Sequence, residues 1–160
     1  MRWYWGTLLA LALVVAVPIG GLWLWGRPRA NITMPTAATS PAEVVRTYAR
    51  AMNARDFSAC KHMGVGDAGD PAADWSTLQG PQMLDLKIER VGRVMSGRQA
   101  AKQQDDRDLK GWDQVVEVQT SETLKNFDGT SDPEPGHAFS FELVRHDTSQ
   151  PWRIYAAGEG

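Results

Sequence analysis

PAEVVRTYARAMNARDFSAC, residues 41–60, holds two helix starts in succession. Ser40 ahead of it supplies a capping hydroxyl, Pro41 fills the first helical position and Glu43 stands three residues after the cap, the pattern of a capping box. Val44, Val45, Tyr48, Ala49 and Met52 then return at helical spacing, while Arg46 and Arg50 fall on the opposite, solvated side. This helix is expected to end between Asn53 and Arg55. Phe57 to Met63 reads as a second, shorter helix stopped by Gly64 and Gly66. A loop rich in Asp and Gly follows, in which Asp70-Pro71 starts one more turn carrying Trp75.

Downstream the period changes to two. Leu84, Leu86 and Ile88 alternate with Asp85, Lys87 and Glu89, as in a half-buried strand. Gly92 is expected to mark a bulge, after which Val94 continues. Residues 97–111 are polar and read as a long hairpin loop. Trp112, Gln114, Val116 and Val118 share one phase of the next strand, with Val115 on its other face. Residues 126–136, NFDGTSDPEPG, form a second loop. Phe139, Phe141 and Leu143 then share a face opposite Ser140 and Glu142, and Trp152, Ile154 and Ala156 are in phase in a last strand. Helices first and about four hairpin-linked strands afterwards define an α+β domain: an antiparallel sheet whose apolar face is covered by the first helix.

This order resembles the NTF2-like superfamily. The resemblance rests on residues 41–63, a helix, then Asn-x-x-Asp, then a second helix, and on the closing hairpin FSFELVRHDTSQPWRIYAAGEG, residues 139–160. It extends to small membrane-anchored bacterial proteins of that superfamily, actinobacterial ones among them, that have no assigned activity. It implies a cone in which helices pack on a curved sheet and leave a cavity at the wide end. It also implies roles as accessory subunits of the cell envelope, and pairing through the open sheet face. In this chain that face presents either the Gln114 side or the Val115 side.

Ahead of the domain, residues 6–26, GTLLALALVVAVPIGGLWLWG, run for 21 positions without a charge. At about 1.5 Å per residue a helix of that length reaches roughly 31 Å, enough for a hydrocarbon core of about 30 Å. Trp3 and Trp5 on one side and Trp23 and Trp25 on the other suit the headgroup layers. A cleaved signal peptide is the rival reading. The apolar stretch is long for one, and its nearest exit, Pro28-Arg29-Ala30, carries a charge. The expectation is a single-pass transmembrane helix within residues 1–26, a proline-bearing linker over 27–40, and a domain over 41–160 outside the cytoplasm. Arg2 against Arg27 and Arg29 gives nearly balanced flanks, so the short stretch before the run decides the orientation.

All 19 acidic residues lie within 41–160, with 14 of the 17 basic ones, so that domain carries a net charge of −5. That sign repels nucleic acid and anionic lipid. Cys60 is the only cysteine, which excludes an internal disulfide.

Asp67, Asp70 and Asp74 invite a catalytic reading. The resemblance implies enzymes in which a cavity carboxylate acts as base, and Asp67 or Asp70 stands near where such a base enters. An oxyanion donor is also needed, and Tyr48, the phenol available on the helix, has the phase of a core residue. Cys60 and His62, two apart on a helix, diverge and do not form a metal pair. Asp128 to Glu134 lacks the third ligand of a calcium loop. No nucleophile elbow, P-loop or dinucleotide fingerprint is present. If a cavity exists, Tyr48, Met52, Trp75, Trp112 and Phe141 are the residues expected to line it.

The expected function is thus a non-catalytic binding or interaction module tethered to the cell membrane through residues 6–26, with no cofactor and no nucleic-acid partner. It would meet a membrane protein or a second copy of itself. The alternative is a cavity enzyme or small-ligand carrier resembling ketosteroid isomerase, using Asp67 or Asp70.

Overall fold

The computed structural model describes residues 27–66, 81–125 and 137–159, together with residues 17, 20, 21 and 24. Helix α1 spans Pro41–Asn53 and α2 spans Phe57–Met63. The Ser40 hydroxyl accepts from the Glu43 N–H at 3.3 Å, but the Glu43 carboxylate does not close the box. It turns to Arg50 at 2.8 Å and Arg46 at 3.5 Å. The Arg50 hydrogen bond holds the Glu43 carboxyl below its ordinary range. The Asn-x-x-Asp pair has two separate jobs. Asp56 caps α2 by accepting from the Ala59 N–H at 3.0 Å. The Asn53 amide meets both backbone groups of Met83, accepting at 2.7 Å and donating at 2.8 Å.

Four strands, β1 (Gln82–Val91), β2 (Gln114–Lys125), β3 (His137–Arg145) and β4 (Arg153–Glu159), form one antiparallel sheet in the order β1-β2-β3-β4. On its inner face Val116 stands opposite Leu143 and Val118 opposite Phe141, while Leu143 also meets Ile154. These residues are fully buried against Val44, Val45, Tyr48 and Met52 of α1. The α+β architecture therefore follows from two amphipathic surfaces closing on each other.

The expected fold is corrected in its N-terminal part. Among the described residues no helix is long and apolar enough to cross a membrane. The longest helix whose bounds are described, α1, has 13 residues and spans about 20 Å, and it carries charged side chains. The run 6–26 that motivated a transmembrane helix lies outside the described residues except at 17, 20, 21 and 24, which are helical. Part of the stretch read as linker packs on the domain: Ile32 touches the core, and the Arg29 N–H donates to the Ala54 carbonyl at 2.7 Å.

Residues 97–111 are also corrected. They are not a hairpin loop but a helix, α3 (Gly97–Gln104), and a 3-10 turn (Arg107–Gly111). A true capping box, Ser96 with Gln99, starts α3. Its apolar side is only Ala100 and Ala101, too small to show as a hydrophobic stripe. With the fully buried Leu109 they cover Val115 and Val144 on the outer face of the sheet. Gly92 marks no bulge in β1; the register shifts fall between Leu84 and Lys87 and between Ile88 and Arg90.

The seating of α3 depends on Gly97. A Cβ there would lie 2.1 Å from the Leu109 carbonyl oxygen and 2.2 Å from that of Trp112, both backbone atoms. Gly97→Ala is expected to destabilise the domain by about 1–3 kcal/mol, as overpacking does. Gly111→Ala, with nothing within 4 Å, serves as control in thermal denaturation followed by tryptophan fluorescence.

Candidate functional site

The residues expected to line a cavity are divided by the sheet. Tyr48, Met52 and Phe141 come together on the inner face, with the Tyr48 and Phe141 rings edge to face at 6.0 Å, and all three are buried in the main core. Trp112 lies on the outer side, where it packs with the α3 cluster and stacks on His146 at 4.3 Å. Asp67, Asp70 and Trp75 lie outside the described residues. Cys60 is buried in the core and His62 is exposed.

Two features were missed in the sequence. The first is Glu122. It continues the inner phase of β2 after Val116, Val118 and Thr120, and it is only 2% exposed. The Thr120 hydroxyl stands 2.6 Å from its Oε2 and 3.2 Å from the Phe139 carbonyl. A carboxylate in the buried phase of an amphipathic strand was the available signal, since such a group needs partners to be tolerated.

The second is the half of the outer face that α3 leaves uncovered. Glu117 on β2 and Glu142 on β3 are directly opposed, and Ala156 on β4 stands opposite Glu142. With Gln104, Ser140, Ala157 and Gly158 they line an open groove of about 270 Å³. Like charges placed directly across two strands repel. Burial raises the Glu142 pKa above the ordinary carboxylate value, and Asp106 and Glu117 push the same way while the Gln104 amide opposes them. Glu142 Oε1 is shielded from solvent and, among the described residues, has no hydrogen-bond partner. Among the described residues neither Glu117 nor Glu142 has a basic side chain in ion-pair range. Tyr155, next to Ala156 on β4, donates its hydroxyl to Asp106 at 2.9 Å. Burial, and then that carboxylate, push the phenol up to about 12, so it stays a hydrogen-bond donor at neutral pH.

Two further grooves are less defined chemically. One of about 310 Å³ lies between Ile32, Met34 and α2. Another of about 320 Å³ runs between α1 and β1 past Arg46, Arg50 and Asp85. Arg50 there is held by Glu43 and Thr47. The acidic outer groove thus offers the clearest recognition chemistry: a place for a positive charge.

Comparison of the chain with protein-family models, with curated proteins and with solved structures finds no match in any of the three.

Glu142 holds its proton more tightly in the folded chain than in the unfolded one. The stability it contributes is therefore complete below the usual carboxylate range and is lost as pH rises through its raised value. Glu142→Gln is expected to melt above the unsubstituted chain at neutral pH, with the difference closing toward pH about 4. Thermal denaturation at the two pH values checks this; an equal difference at both would contradict it.

Proposed function

We propose that the chain is a non-catalytic binding or interaction module, held at a membrane by its apolar run 6–26 with the domain outside the cytoplasm. The attachment is supported by the sequence of that run alone. The binding role is supported by the half-open outer face, where two opposed carboxylates stand in a groove without a basic partner among the described residues. Tethering raises the effective concentration of such a surface near other membrane proteins. The order of helices and strands supports kinship with the NTF2-like superfamily.

One observation favours a second reading, a cavity enzyme or small-ligand carrier. Glu122 is a buried inner-face carboxylate beside a hydroxyl, the kind of group such chemistry uses, and it would act with or in place of Asp67 or Asp70.

Purification of the full chain from its native membrane in mild detergent separates the two. The module reading expects a second polypeptide at defined stoichiometry. A small molecule seen by native mass spectrometry in place of a polypeptide would favour the second reading. Recovery of the chain alone, or its appearance uncut in the aqueous fraction after lysis, would overturn the membrane-bound module.

A further inference from the structure

We propose that the second half of β4, which among the described residues has no pairing on its outer side, is a docking edge for an extended basic segment of a partner protein. The segment adds as a fifth strand and places a Lys or Arg side chain in the Glu142 groove. This deepens the binding-module reading and rests on it.

The two edges of the sheet are treated differently. The β1 edge is defended: the Asn53 amide occupies both backbone groups of Met83, two register shifts interrupt the strand, and Lys87, Glu89 and Arg90 add charge. These are the devices by which proteins block unwanted strand pairing. The start of β4 is defended too, because Gly64 bridges Ile154 and the Val65 N–H donates to the Ile154 carbonyl at 2.9 Å. Beyond the shift opposite Glu142 and Leu143 the defence stops. Ala156, Ala157 and Gly158 are small and uncharged, the two alanines are exposed, and among the described residues none pairs on its outer side. A Cβ built on Gly158 would meet nothing within 4 Å.

The acidic groove opens on this same stretch, since Ala156, Ala157 and Gly158 line it together with Glu142 and Glu117. A strand added to β4 would hydrogen bond through its backbone and send alternate side chains over the outer face. Charge selects the occupant. A second copy would bring two acidic faces and two domains of net charge −5 together. Among the described residues no group of three or more His, Cys, Asp or Glu is placed to hold a metal ion. A lysine or arginine supplies the missing positive charge between two carboxylates that otherwise repel.

The test titrates the full chain in detergent with three heptapeptides: one alternating threonine and lysine, one alternating threonine and glutamate, and the lysine peptide N-methylated at alternate residues. The lysine peptide is expected to bind and to shift the backbone amide resonances of residues 156–158. The other two should bind at least about tenfold more weakly, and Glu142→Gln should weaken the lysine peptide by about tenfold. Equal binding of the glutamate or N-methylated peptide, shifts confined to another face, no binding, or a peptide-free dimer through β4 would each overturn the proposal. A partner recovered from membranes whose cross-links avoid β4 would overturn this inference and leave the module reading standing. Recovery of the chain alone would remove the module reading itself.

Discussion

The apolar side of α1 pressed on the inner face of the sheet is the contact from which the rest of the domain follows. Val44, Val45, Tyr48 and Met52 meet Val116, Val118, Phe141, Leu143 and Ile154, and each of these side chains is buried. Burying a side chain of this size stabilises by about 1.5–3 kcal/mol. Once that face is committed, strand register is committed as well, because a one-residue slip would turn Glu117 and Glu142 into the core. The same register that packs the inner face places those two carboxylates opposite each other outside.

The sheet's outer face then has to be finished by other means. The chain uses α3 and the 3-10 turn to cover Val115 and Val144, and it stops there. Gly97 permits the close approach, and the Ser96–Gln99 capping box starts the helix where the chain folds back. Among the described residues, what remains uncovered is polar, acidic and continuous with a strand edge that has no outer partner. In a domain this small that combination is unusual to leave exposed, since open edges invite pairing. It makes sense as a surface kept for another chain.

Much of this was readable in the residues. The helical spacing of Val44 to Met52 and the alternation through Val116 and Val118 and through Phe141 and Leu143 identified α1 and the inner face. Pro41 marked the start of α1 correctly. The reading failed where packing relies on small or polar residues. Ala100 and Ala101 give no hydrophobic stripe, so α3 looked like a loop. Ser40 and Glu43 looked like a closed capping box, but Arg46 and Arg50 compete for the carboxylate. Trp112 was in phase with Val116, yet it precedes the strand and turns to the outer side to stack on His146. The acidic groove was hidden for a related reason: Glu117 and Glu142 look like ordinary solvated positions until the β2–β3 register sets them face to face. Uncharged residues over 6–26 led to a membrane-spanning helix, and among the described residues no helix is long and apolar enough to be one.

The most direct measurement places a photoreactive side chain at Ser140, on the groove wall, and irradiates the native cell. A domain that keeps this face for a partner should yield a cross-link to one distinct polypeptide, lost when Glu142 is replaced by Gln. No cross-link from Ser140, or the same cross-link from Arg46 on the solvated side of α1, would contradict it.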